Sequence, residues 1–138
     1  MNDTSPRTAL CTGLWVLAIS LPLGLTLEAL HAMKVQVYLG SALRRELWTL
    51  AHAHGNLLGI LCLAVAALGP RLLSDPARLR RVEKLLAIGA VLMPLGFLLG
   101  GVLNSEGDPS LGILLVPIGG VLVFVALVLA GRAAMTKP

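Results

Sequence analysis

The chain has 138 residues, of which 57% are hydrophobic and only 13% charged, and its mean hydropathy is +0.87. A soluble domain carries about 25% charged residues, so this composition excludes an ordinary soluble fold. The net charge of +4 comes from basic residues that flank apolar runs. That distribution is typical of membrane-topology signals rather than of a nucleic-acid-binding surface. We therefore expect one membrane domain over residues 1–138 that contacts the lipid bilayer and no nucleic acid.

The first two apolar runs are joined by a connector over residues 32–46. Each run is long enough to cross a hydrocarbon core of about 30 Å at about 1.5 Å per residue. Gly40 interrupts the connector, and Ser41 is placed to cap a new helix. This helix is predicted to end at Gly69-Pro70, with Arg44 and Arg45 exposed in its first turns.

Two further spans follow, and each is preceded by an aspartate and a proline. Asp75-Pro76 and Asp108-Pro109 both place an N-cap residue before a proline at the first helical position. In the third helix, Gly96 and Gly100 permit close approach of another helix. A polar turn over residues 104–108 separates the last two spans. The predicted spans cover residues 8–30, 47–68, 85–103 and 111–130.

The basic residues also predict the orientation in the membrane. Eight lysines and arginines fall on one side of the four spans and three on the other. By the positive-inside rule both termini are cytoplasmic. The sequence thus predicts an all-α integral membrane four-helix bundle, up-down-up-down, in a bacterial inner membrane.

This topology gathers polar residues at the outer, periplasmic end. Glu28 and His31 end the first helix, whereas His52 and His54 lie near the start of the second. Titratable side chains are expensive in hydrocarbon and tend to mark a function. We expect these four residues to form the functional site, with Asn56, Asn104 and Glu106 orienting them from a second layer.

Helical phase refines this expectation. At about 100° per residue, Ser20, Gly24, Glu28 and His31 share one stripe of the first helix, which we expect to face the bundle. His52 and His54 lie about 200° apart on a regular helix, so they cannot hold one small ion from the same side. One of them is predicted to face the first helix and the other a different helix, a neighbouring subunit or a cofactor.

Two kinds of cofactor suit these residues. The Glu28-x-x-His31 spacing places a carboxylate and an imidazole on one helix face, as in metal sites of helical bundles. Imidazole suits copper, iron and zinc, so His31, His52 and His54 with Glu28 are candidate ligands of a transition metal. Two histidines from different helices would also serve as axial ligands of haem. The two cysteines, Cys11 and Cys62, are expected to be buried as small apolar residues.

A local resemblance favours haem. Residues 47–59, LWTLAHAHGNLLG, resemble the second transmembrane helix of haem–copper oxidase and nitric-oxide-reductase catalytic subunits. The resemblance implies that His54 is an axial haem ligand, and it does not extend to the copper-site histidines of those subunits. As a whole, the chain resembles small bacterial four-helix membrane proteins.

The sequence leaves three functions open. The first is a periplasm-facing histidine and glutamate site that binds haem or a transition metal, used in redox chemistry or electron transfer. The second is an accessory subunit without a cofactor, in which His52 and Asn56 hold helices together. The third is a small proton or solute pathway gated by Glu28. Homo-oligomerisation or membership of a larger complex fits all three, and whether the protein catalyses a reaction is undetermined.

Overall fold

The computed structural model describes residues 8–102, 104–105 and 107–135, and within these ranges it is helical. Four segments are long and apolar enough to cross a membrane, which confirms the predicted all-α class and the four candidate spans: Thr8–Ala32, Ala42–Leu72, Pro76–Val102 and Leu111–Met135. The elements are α1 (Thr8–Ala32), α2 (Gln36–Leu39), α3 (Ala42–Leu72), α4 (Pro76–Val102), a 3-10 turn (Leu111–Leu114) and α5 (Leu115–Met135).

Helix α4 lies at the centre of the packing. In its most apolar stretch 39% of the residues are buried, against 17% in α1 and in the last span. Helices α1, α3 and α4 contact one another, and α5 packs mainly on α4. Between the described parts of α1 and α5, no two Cα atoms lie within 8 Å of each other. The arrangement is therefore a three-helix group with a fourth helix attached to one member.

Glycines of α4, including the predicted Gly96, form the contact with α5. A Cβ atom at Gly96 would lie 2.8 Å from the backbone nitrogen of Val116, and one at Gly89 would lie 2.7 Å from the carbonyl oxygen of Gly119. Side chains at these positions would collide with backbone, so the small residues permit this close approach. Because the later residue of α4 meets the earlier residue of α5, the two helices are antiparallel.

Two of the predicted helix starts are confirmed. The Ser41 side chain accepts a hydrogen bond from the Arg44 backbone N–H at 3.2 Å, and α3 begins at Ala42. Asp75 accepts from the Ala77 N–H at 2.9 Å, and α4 begins at Pro76. In each case the side-chain oxygen satisfies a backbone donor that has no partner within its helix.

Two predicted boundaries are wrong. Helix α3 continues through Pro70 to Leu72, because in a last turn proline removes few helical hydrogen bonds and the Leu73 N–H still closes on Gly69. Asp108-Pro109 does not cap the last helix. Ser110 occupies the N-cap position instead, and its hydroxyl donates to the Leu99 carbonyl oxygen at 2.7 Å.

The outer surface of the helices is apolar. Large hydrophobic side chains are widely exposed, including Trp15 at 70%, Ile19 at 67% and Leu25 at 74%. Such a surface is unstable in water and suited to hydrocarbon, where the backbone hydrogen bonds are satisfied inside each helix. The exposed residues therefore agree with a multi-pass membrane protein.

Candidate functional site around His52 and His54

His52 and Ser20 join α3 to α1 through a pair of reciprocal hydrogen bonds, which we call the α1–α3 lock. Its ring Nδ1 lies 2.8 Å from the backbone carbonyl oxygen of Ser20, and the Ser20 hydroxyl donates to the His52 carbonyl oxygen at 2.9 Å. A carbonyl oxygen only accepts, so Nδ1 carries the proton. The Asn56 amide nitrogen lies 3.2 Å from Nε2 and 3.3 Å from Nδ1, and since Nδ1 is a donor, Nε2 is the ring nitrogen that can accept from it. Both nitrogens of His52 are thus engaged within the protein.

Small residues make room for this lock. The His52 ring packs directly on Gly24, where a Cβ atom would overlap it. A Cβ at Gly55 would lie 2.5 Å from the Ser20 hydroxyl oxygen. Ser20 is itself only 4% exposed. The predicted assignment of Ser20 and Gly24 to the bundle-facing stripe is therefore confirmed, and so is the prediction that one histidine faces the first helix.

Asn56 is not fully satisfied by this arrangement. Its side-chain oxygen Oδ1 is buried and has no hydrogen-bond partner among the described residues. Its amide nitrogen is occupied by His52. Asn56 therefore lies in direct contact with His52, as the predicted second-layer role requires, and it retains one free acceptor atom.

His54 has a different environment, on the side of α3 that faces α4. Its Nδ1 lies 2.9 Å from the Leu50 carbonyl oxygen, one turn earlier in the same helix. Its ring centroid lies 4.8 Å from that of Phe97, with the two planes tilted by 33°. Because Nδ1 donates to a carbonyl, Nε2 carries the lone pair, and within the described residues no hydrogen bond engages it. His54 is partly exposed.

Glu28 and His31 do not join this region, so the prediction that they face the bundle is wrong. Both are exposed, whereas Leu27 is 6% exposed and takes the inward position. The inward-facing stripe of Ser20 and Gly24 continues at Leu27, three residues after Gly24, and not at Glu28, four residues after it. A helical period of about 3.6 residues allows either continuation. The ring of His31 lies 6.5 Å from that of Tyr38.

Asn104 belongs to a separate network and does not orient the histidines. Its Oδ1 accepts from the Arg44 guanidinium at 3.0 Å, and its Nδ2 donates to the Ser41 hydroxyl at 3.1 Å. Glu106, which was predicted beside it, lies outside the described residues. The described part of the predicted polar turn does close, through the Asp108 N–H to the Ser105 carbonyl oxygen at 3.2 Å.

The predicted ligands are therefore dispersed. His52 faces α1, His54 faces α4, and His31 lies beyond both at the exposed end of α1. Over residues 8–102, 104–105 and 107–135, no three histidine, cysteine, aspartate or glutamate side chains come close enough to hold a metal ion.

Arg44 was predicted to be exposed in the first turns of its helix, and this prediction is wrong. It is half-buried, and its guanidinium donates to the carbonyl oxygens of Gly101 at 2.8 Å and Val37 at 2.5 Å, besides Asn104. It also lies 5.8 Å from the ring centroid of Trp48. This side chain joins the connector, α3 and α4, which no local pattern indicates. We call Arg44, Ser41, Trp48 and Asn104 the arginine cluster.

A second missed residue is Glu83, at the opposite end of the helices. It is 0% exposed, and neither carboxylate oxygen has a hydrogen-bond partner among the described residues. A local signal was available, because Glu83 shares the helical stripe of Leu79, Leu86 and Ala90, all of which are buried. Its neighbours in sequence are basic, which instead suggested a solvated loop.

An apolar groove of about 370 Å³ opens along the seam between α1 and α4, with α3 as its floor. Cys11, Trp15 and Ser20 line it from α1, and Pro94 and Leu98 from α4. Cys11 is exposed here, contrary to the prediction, whereas Cys62 is buried as predicted. The groove approaches the α1–α3 lock through Ser20, but neither His52 nor His54 lines it.

The chain matches no protein-family model, no curated protein and no solved structure. Its function is therefore inferred from the contacts described above.

Proposed function

We propose that this protein is a small multi-pass subunit of a bacterial inner membrane that binds haem or a transition metal through His54. Its spans would run up-down-up-down with both termini in the cytoplasm, in keeping with the eight-to-three distribution of basic residues. Residues near the start of α3 would then lie towards the periplasm. The use of the cofactor would be electron transfer near the outer membrane surface.

The observation that carries this proposal is the state of the His54 ring. The bond from Nδ1–H to the Leu50 carbonyl fixes the tautomer, and the Nε2 lone pair has no hydrogen-bond partner among the described residues. Metal-ligating histidines typically donate their other ring N–H in this way, which also raises the basicity of the ligating nitrogen. The oxidase-like sequence around His54 supports the same residue.

The other histidines fit the role less well. Both ring nitrogens of His52 are engaged, so metal binding there would break the α1–α3 lock. His31 lies at the exposed end of α1. A further ligand for the cofactor would therefore come from a second copy of the chain or from a larger complex. When bound, haem or a transition metal would supply the redox centre, and the protein would supply the His54 ligand and an apolar setting.

The test compares His54→Ala with His31→Ala in detergent-purified protein, produced in cells supplied with haem and metals. We expect the wild-type protein and His31→Ala to show a Soret band or stoichiometric copper, iron or zinc, and His54→Ala to lose it. Unfolding temperatures check that the variants are folded. A wild-type protein without cofactor, or a cofactor retained by His54→Ala, would overturn the proposal.

A second candidate function is an accessory subunit without a cofactor. The observation that favours it is the complete engagement of His52, which gives this histidine a structural explanation. Such a subunit would contain no metal, and His54→Ala would be as stable as the wild type. A pathway gated by Glu28 has less support, because Glu28 is exposed rather than placed inside the helix group.

A further inference from the structure

Glu83 is a buried acid that the proposed function does not use. It is fully buried in α4, whereas the charged residues nearest to it on the same helix, Arg80, Arg81 and Lys84, are exposed. Its side chain therefore points into the helix group, away from the basic surface. It lies among the apolar side chains that form the main core.

Three elements surround the carboxylate. From α3, the Cys62 thiol lies within electrostatic range of it. From α1, the backbone of Ala9 lies beside it, at the start of that helix. Helix α5 contributes apolar side chains such as Ala126 to the same core, and its Arg132 is exposed.

These surroundings support both protonation states. The apolar core favours the neutral acid, because an unpaired buried charge costs several kcal/mol. The start of α1 favours the anion, since its unpaired backbone N–H groups carry partial positive charge and no acidic residue occupies its first turn. These two influences on the carboxylate act in opposite directions.

The carboxylate has one favourable neighbour, the start of α1, and is otherwise enclosed by apolar side chains. Replacing buried charged groups by apolar or neutral side chains of similar size is often neutral or stabilising. Ionisable residues inside membrane-spanning helices commonly belong to proton relays or ion pathways. We propose that Glu83 is a reversible proton-binding site, placed between α1, α3 and α4 at the end of the protein opposite to His54.

Infrared difference spectroscopy of the purified full-length chain, titrated from acidic to alkaline pH, tests this directly. Protonated carboxyl groups have a distinct C=O stretch, whose loss on ionisation does not depend on access by a reagent. We expect a band that disappears as the pH rises, is absent in Glu83→Gln and is retained in Glu28→Gln. Glu28 is the matched control because it is an exposed glutamate of another span.

Glutamine is nearly isosteric with glutamate, and the unfolding temperature of Glu83→Gln verifies that the variant is folded. A band assigned to Glu83 that does not change with pH would show that the acid is permanently neutral. The absence of any band that Glu83→Gln removes would show that it is permanently ionised. Either result overturns reversible proton binding. Both are independent of whether His54 holds a cofactor.

Discussion

The arginine cluster and Glu83 are both charged sites in largely apolar surroundings, and they are built in opposite ways. In the cluster, the Arg44 guanidinium donates to three oxygen acceptors on three parts of the chain. At Glu83, neither oxygen has a partner among the described residues. A buried charge with partners holds its neighbours in place, whereas one without partners weakens the folded state. The comparison predicts that Arg44 contributes to stability and that Glu83 does not.

Of all the substitutions proposed for this comparison, Arg44→Ala should lower the free energy of unfolding most. It removes three charge-assisted hydrogen bonds and the contact with Trp48, and we expect the free energy of unfolding to fall by about 3 kcal/mol. Thermal unfolding in detergent, followed by circular dichroism, measures the change. The control is Arg81→Ala, an exposed arginine of α4, which should stay within about 0.5 kcal/mol of wild type. Equal effects of the two substitutions would contradict a stabilising cluster.

His52→Ala tests a neutral polar side chain that, like Arg44, has hydrogen-bond partners. The variant leaves the Ser20 carbonyl and the Asn56 amide without their partner, so we expect a loss of about 1–2 kcal/mol. His54→Ala should lose less, because its hydrogen bond lies within one helix turn and joins no second helix. The same unfolding measurement on both variants decides the order. If His54→Ala lowered the stability more than His52→Ala, the α1–α3 lock would not be the stronger stabilising contact.

Gly24→Ala tests the lock without removing any polar atom. The added methyl group would displace the His52 ring and weaken its bond to Ser20, for an expected loss of about 1 kcal/mol. In a background that already carries His52→Ala, the substitution should be nearly harmless, because no ring remains to collide with it. A double-mutant cycle measures this coupling. If the stability losses of Gly24→Ala and His52→Ala were additive, contact with the His52 ring would not be the reason for a glycine at position 24.

Glu83→Gln should have the smallest effect and is the sharpest test of the difference between the two sites. We expect the unfolding free energy to remain within about 1 kcal/mol of wild type or to rise, since a neutral amide replaces an unpartnered acid. Thermal unfolding at neutral pH is the measurement. A loss comparable to that of Arg44→Ala would mean that the carboxylate has a strong stabilising partner, and the contrast with the cluster would not hold.

Much of the local structure could be predicted from the sequence. The four apolar segments, the caps at Ser41 and Asp75 and the contact made by Gly96 all follow from rules that act within one helix turn or one helix. The opposite directions of His52 and His54 were also predictable, because residues two apart on a regular helix always diverge.

Only the tertiary structure decided which helices are neighbours and which polar groups meet. In the folded protein Glu28 faces outward and Leu27 faces inward. Arg44 bonds to Gly101 and Asn104, and Glu83 is buried. Helical periodicity defines the faces of a helix to within about one residue, but it does not specify what each face touches. Partners such as Arg44 and Asn104 are 60 residues apart, and their meeting depends on the packing of whole helices. The sequence by itself thus determined the helices and their faces, and the packing of those helices determined the sites.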